Sequence, residues 1–187
     1  MDELIDILNE QGKPSGQTCM KSFAHKNGIF HASAHIWIFD NHKNILIQKR
    51  TKTKDTFPNL WDISVAGHIS AGEKPITSAI REIQEEIGLT VSKNQLHYIN
   101  TFKKNIKHSE NLIDNELHYI YLCMLNFNLS SLTIQKEEVA DIKKIKLNDF
   151  IKEVNKTNSL FVPHGKEYFD LIFKAIQNFK YNIKKIL

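Results

Sequence analysis

Residues 67–89, GHISAGEKPITSAIREIQEEIGL, constrain this chain more than any other stretch, because they set several carboxylates on one side of a short helix that opens from a glycine-bearing loop. A helix over 75–87 places Glu82, Glu85 and Glu86 at i, i+3 and i+4, which is one face. Ala79, Ile83 and Ile87 recur at i, i+4 and i+8 and form an apolar face that anchors the helix, so the acidic side is expected to look outward. Pro75 suits the first turn, and Gly88 suits the left-handed residue just past the end.

Carboxylates crowded on one helical face repel one another, and a helix built only for solubility would dilute them with lysines one turn away. A hard divalent cation removes the conflict. Mg2+ prefers oxygen ligands in octahedral geometry and is held by one or two carboxylates together with waters and substrate phosphates. Read this way, the face is half of a metal-diphosphate site; the bland reading is a solvated acidic face. Arg81 is expected to steady the cluster by pairing with Glu85 at i+4 or with Glu73 in the preceding loop.

The complete spacing separates these readings. Gly67, Glu73, Arg81, Glu82, Ile83, Glu85, Glu86, Gly88 and Leu89 stand, without departure, where the signature of the Nudix hydrolases has its specified residues, and the chain resembles that family. The resemblance implies a Nudix-type α/β/α sandwich with a mixed sheet, a requirement for Mg2+ (or Mn2+), and cleavage of a diphosphate linkage in a nucleoside or other organic diphosphate by water attack on phosphorus. It also implies that Glu82, Glu85 and Glu86 are metal ligands or hold metal-bound water, with the Gly67 carbonyl a further ligand, while Arg81 and Glu73 organise loop and helix. Within the family the base that takes the water's proton comes either from the box, here Glu85 or Glu86, or from a later loop, where Glu137 and Glu138 are candidates. Glu137 and Glu138 equally suit a solvated turn ahead of a strand.

Composition is compatible with a globular enzyme. The 187 residues are 41% hydrophobic and 25% charged, enough to bury a sizeable core. No apolar run approaches the ~20 residues of a membrane span, and the start MDELIDILNEQ does not resemble a signal peptide, so a cytoplasmic location without membrane contact is expected. Cys19 and Cys123 lack metal-type spacing and read as unpaired thiols. The net charge of +4 comes almost wholly from lysine, since Arg50 and Arg81 are the sole arginines. The lysines are scattered rather than interleaved with aromatics, so the expected partner is a small-molecule diphosphate and not a nucleic acid.

Residues 31–39, 45–49, 61–66, 96–102 and 116–125 read as strands, 147–154 as a helix, and 166–180 as a helix with Tyr168, Leu171, Ile172, Ala175, Ile176 and Phe179 at helical spacing. No repeat or linker divides the chain, which is expected to be one domain over 1–187 with an N-terminal strand extension over about 1–30, the box at 67–89, and a C-terminal helix over about 165–182.

A second resemblance covers residues 30–69. This run is similar to type I isopentenyl diphosphate isomerases, which share the Nudix fold but move a proton on an isoprenoid alkene. Those enzymes carry a catalytic cysteine where this chain has Ala66, just ahead of Gly67 and His68, and alanine exchanges no proton. Ala66 therefore disfavours an isomerase, and the complete box disfavours a non-catalytic diphosphate-binding domain. By the same resemblance His25, His31, His68 and Glu116 gather as ligands of a second metal, a donor set that suits Zn2+ or Mn2+. Taken from the strand pattern alone, His31 and His35 alternate with Ala32, Ala34 and Ile36 as ordinary core or edge histidines. Lys21, Arg50 and Lys54 match cationic positions that hold the substrate diphosphate, and they equally suit surface ion pairs. Trp37, Phe57 and Trp61 divide between stacking on a base and packing in the core.

Overall fold

The computed structural model describes residues 2–180. An antiparallel pair, β1 (Leu4–Leu8) and β2 (Pro14–Met20), precedes a short helix α1 (Lys21–Asn27), so the N-terminal extension is a hairpin plus a helix rather than strand alone. The main sheet has seven strands: β3 (His31–Phe39), β4 (Asn44–Arg50), β5 (Trp61–Asp62), β6 (Val65–His68), β7 (Leu96–Ser109), β8 (Leu112–Met124) and β9 (Val139–Lys146). The helix of the acidic box is α2 (Pro75–Ile87), and α3 (Leu147–Val154) and α4 (Lys166–Gln177) close the chain.

The sheet order is β5-β4-β3-β8-β7, with β6 also on β3 and β9 also on β4. β3 and β8 run parallel in register from His31↔Glu116 to Phe39↔Met124, and the other pairs of the sheet are antiparallel. β3 is buried along its whole length because helices cover both faces of the sheet. Its residues Ala34, Ile36 and Ile38 join Leu46, Val65 and Cys123 against Ala79, Ile83 and Ile87 of α2. Trp37 and Phe39 point the other way, into a core with Phe150 of α3 and Tyr168, Phe169, Ile172 and Ile176 of α4. This is a mixed α/β sandwich.

His31, Ser33 and His35 lie on the same side of β3 as Trp37. The burial of such polar residues marks that end of the sheet as a place with a task other than packing.

The β7–β8 arms are longer than the strand pattern suggested, reaching Ser109 and Leu112 as a two-stranded overhang. The polar alternation around Lys103, Lys104 and Lys107 hid this, because both arms are half-exposed there. The C-terminal helix ends at Gln177, and the part of its expected span over 181–182 lies outside the described residues.

Candidate active site

α2 forms as its periodicity requires and is capped as expected: Gly88 has φ 71°, and its N–H donates to the Gln84 carbonyl. Its acidic side does not look outward. Glu82 and Glu86 are buried, and Glu85 alone of the three is exposed. The cause is β6, whose backbone crosses over the acidic face. A Cβ at Gly67 would lie 2.0 Å from Glu82 Cδ and 2.3 Å from each of its oxygens, so glycine is required for this approach.

Arg81 holds the carboxylates together by pairing with all of its candidate partners at once. Nη1 donates to Glu82 Oε1 at 2.7 Å and to Glu85 Oε2 at 2.9 Å, while Nη2 donates to Glu73 Oε2 at 3.2 Å and to the His68 carbonyl at 3.1 Å. Its fork thus ties the loop, β6 and α2 into one unit. Burial pushes the Glu82 carboxyl up to about 7 despite Arg81, and burial together with the Glu82 charge pushes Glu86 up to about 8. Gln48 of β4 donates to Glu86 Oε2 at 3.0 Å. Arg81 reaches Glu82 but not Glu86, both buried carboxylates are pushed toward neutrality, and oxygen donors of this kind fit a hard divalent cation.

The three cations expected to hold a diphosphate are all engaged within the protein. Lys21 pairs with Glu3 at 3.3 Å, and Lys54 pairs with Glu138. Arg50 donates from Nε and Nη2 to the Thr56 carbonyl at 3.0 and 2.9 Å and from Nη1 to Asp62 Oδ2 at 3.2 Å, so it fastens the 51–60 loop to β5. Burial and the neighbouring Arg50 charge lower the Lys54 ammonium. Among the aromatics, Trp37 is core, Lys143 lies 3.8 Å above the Trp61 ring, and Phe57 packs edge-on against His108.

His25, His31, His68 and Glu116 converge, with one ligand atom from each lying within 4.8 Å of the others. His31 Nδ1–H donates to the Ile29 carbonyl at 2.7 Å, which leaves its Nε2 lone pair buried with no hydrogen-bond partner among the described residues. His25 uses Nδ1 on Asp114 Oδ1 at 2.9 Å and brings Nε2 to 3.1 Å from His68 Nε2. Glu116 Oε1 stands 3.8 Å from Nε2 of both His31 and His68. Burial lowers His31 and holds His68 well below the ordinary histidine value. Burial also acts on His25, yet the Asp114 hydrogen bond leaves that ring raised. Imidazoles whose far nitrogens are fixed by carboxylate or carbonyl, with the near ones aimed at a common point, are the donor set a transition metal takes.

Several members of this region escaped the sequence reading: Asp114, His108, His118, Gln48, Asp62 and His164. The period-two run Asp114, Glu116, His118 in one strand was the available signal, since alternate strand residues share a face. His164 and Asp62 are 102 residues apart and gave no signal.

Two buried carboxylates on one helix, one of them beneath a glycine strand and held by an arginine, stand near an imidazole-carboxylate cluster on a mixed α/β sandwich. The match to the NUDIX domain over residues 29–165 covers most of the chain. The chain therefore belongs to the Nudix hydrolase family, whose general reaction is hydrolysis of a pyrophosphate linkage with a divalent cation. It is 33% identical over 94% of its length to Nudix hydrolase 3 of Arabidopsis thaliana, of which it spans 24%. An uncharacterised Nudix hydrolase of Clostridium acetobutylicum is 30% identical, with 95% of this chain and 98% of that protein covered. An isopentenyl-diphosphate Delta-isomerase of Shigella boydii is 28% identical over 86% of each chain. Among solved structures, a protein of Deinococcus radiodurans superposes with a TM-score of 0.68 at 12% identity, covering 94% of this chain and 98% of that one, a likeness of fold. No helix among the described residues is long and apolar enough to cross a membrane.

Proposed function

We propose that this protein hydrolyses a nucleoside or other organic diphosphate by water attack on phosphorus, using Mg2+ or Mn2+ held at Glu82 and Glu86. The observation that carries this reading is the burial of both carboxylates, Glu82 directly against Gly67, in surroundings that push both toward their neutral forms. A cation bound there supplies charge neutralisation for the phosphoryl oxygens and acidity for water. Arg81 takes Oε1 of Glu82, leaves its Oε2 without a hydrogen-bond partner among the described residues, and keeps the Gly67–His68 backbone pressed to the helix. Glu85, half-exposed and tethered to Arg81 through one oxygen, is placed to accept the water's proton with the other. Glu138 is tied to Lys54, so the pair serves as a latch on the 51–60 loop, and Lys54 becomes available to a phosphate when that pair opens.

A second metal, Zn2+ or Mn2+, is assigned to His25, His31, His68 and Glu116, because the buried lone pair of His31 Nε2 has no hydrogen-bond partner among the described residues. Isomerisation is disfavoured: Ala66 sits beside His35 across the β3–β6 pair and offers a methyl where proton exchange would need a titratable group.

The test is hydrolysis of a panel of nucleoside diphosphates, sugar nucleotides, thiamine diphosphate and isoprenoid diphosphates in 18O water. Activity should vanish with chelator and return with Mg2+ or Mn2+, and one phosphorus-containing product should carry the label. Full activity in chelator, or label in neither phosphate product, contradicts the reading.

A further inference from the structure

The β1–β2 hairpin and α1 lie ahead of residues 29–165, the span of the NUDIX match, yet they are built into the site. β1 pairs with β2 along one edge and with the start of the box along the other. Ile5 bridges Ser70, the Leu4 carbonyl accepts the Ala71 N–H at 2.9 Å, and Asp6 Oδ2 accepts the Gly72 N–H at 2.9 Å. At the far end of the arm the Glu3 carbonyl takes the Lys21 N–H at 2.8 Å, where α1 begins, and Asp2 accepts from the Ser22 N–H at 3.0 Å and the Ser22 hydroxyl at 2.6 Å. The arm is therefore fastened both to the loop that carries Glu73 and to the helix that carries His25. Alternate residues of an extended chain share a face, and Ile5 is fully buried, so Glu3, two residues ahead of it, turns inward as well.

Inside, Glu3 meets an imidazole. Each of the three histidines of the imidazole cluster turns one nitrogen toward the common point and the other toward an oxygen. For His31 that oxygen is the Ile29 carbonyl at 2.7 Å from Nδ1, and for His25 it is Asp114 Oδ1 at 2.9 Å from Nδ1. For His68 it is Glu3 Oε1, 3.7 Å from Nδ1, while Nε2 lies 3.1 Å from His25 Nε2 and 3.8 Å from Glu116 Oε1. The same Glu3 oxygen stands 3.3 Å from Lys21 Nζ. At 3.7 Å the approach to His68 is longer than a hydrogen bond, so the carboxylate acts on the ring by its charge. A neutral imidazole has one N–H and one lone pair, and an anion beside Nδ1 favours the proton there, which leaves the lone pair on Nε2, facing the cluster.

We propose that Glu3 is a positioning residue that holds His68 in the Nδ1–H form, so that all three imidazoles aim a lone pair at one point and the arm outside the NUDIX match completes the imidazole site. The proposal rests on the assignment of a metal to that cluster. A Glu3 that served only to pair with Lys21 would leave the His68 proton indifferent to its removal.

The test reads the tautomer without metal and the affinity with it. In excess chelator, the ring 15N shifts of His68 should report the Nδ1–H form in the unaltered protein and move toward the Nε2–H form in Glu3→Met, which has no acceptor; Glu3→Gln, which keeps one, should restore part of the original pattern. With Co2+ as the probe, followed by its visible absorption, Glu3→Met should bind on the order of tenfold or more weakly than the unaltered protein, and Lys21→Met, which removes the ion pair and keeps the carboxylate, should not weaken binding. An unchanged His68 tautomer in Glu3→Met overturns the proposal, and so does unchanged Co2+ affinity in that variant. Equal weakening in Lys21→Met would trace the effect to the ion pair and overturn it too. If the tautomer follows Glu3 while the unaltered protein takes up no Co2+, the metal assignment is overturned and the role of Glu3 stands.

Discussion

At the scale of single residues, Glu86 and Asp62 are both buried carboxylates, and their surroundings push them in opposite directions. Glu86 sees burial and the charge of Glu82, only partly offset by Lys54, the Gln48 amide and the Ala66 backbone N–H, and it is driven toward its neutral form. Replacing it by Gln removes a hard anionic ligand while keeping the shape and the Gln48 contact. Turnover should fall on the order of a hundredfold or more, and the rise in melting temperature produced by Mg2+ should disappear with the fold retained. A variant with wild-type turnover and an intact metal-induced shift would remove Glu86 from the metal site. Asp62 is instead held ionised by His164, Arg50 and the Ile63 N–H. Because its folded value is depressed, its contribution to stability is present above the unfolded carboxylate range near pH 4 and is lost as pH falls further. Asp62→Asn should therefore cost about 3 kcal/mol in urea unfolding at pH 7, and the deficit should shrink as pH is lowered below ~4. A pH-independent deficit would show that the group acts by packing alone.

At the scale of elements, α2 was legible down to its ends, since Pro75, the Ala79-Ile83-Ile87 stripe and Gly88 each act locally on the backbone. Gly88 is the sharpest case: its φ of 71° is costly for any side chain, and a Cβ there would lie 3.0 Å from that of Thr133. Gly88→Ala should destabilise by about 1–2 kcal/mol, read from the urea midpoint, without altering the metal requirement of the folded fraction. What periodicity did not reveal about α2 is which strand its acidic side would meet. Glu82 and Glu86 were expected to face solvent because a charged face ordinarily does, and β6 buries them instead. The β7–β8 overhang shows the converse: strands half-exposed on both faces lack the apolar alternation that would announce their length.

Across the whole molecule, the two proposed metal sets come from different elements and differ in chemistry, oxygen donors from α2 and β6 against imidazoles from α1, β3 and β6 with Glu116 of β8. They should separate experimentally. After exhaustive dialysis, elemental analysis should find about one transition-metal ion retained per chain; His31→Gln should lose it, while Glu86→Gln should keep it. Loss of the ion from both variants would merge the sites into one. The sequence by itself determined the family, the sandwich class and the box, because fixed short spacings and helical or strand periodicity are properties of neighbouring residues. It also pointed, by resemblance, to His25, His31, His68 and Glu116. Tertiary structure alone decided that the acidic face is buried, that Lys21, Arg50 and Lys54 are spent on Glu3, Asp62 with the Thr56 carbonyl, and Glu138, and that His164 meets Asp62 beside His35 and His118. Those outcomes depend on parallel pairing of β3 with β8 and on where the segment before α4 returns to the sheet. Contacts between residues a hundred positions apart are set by the packing of whole elements, and no local pattern in the chain records them.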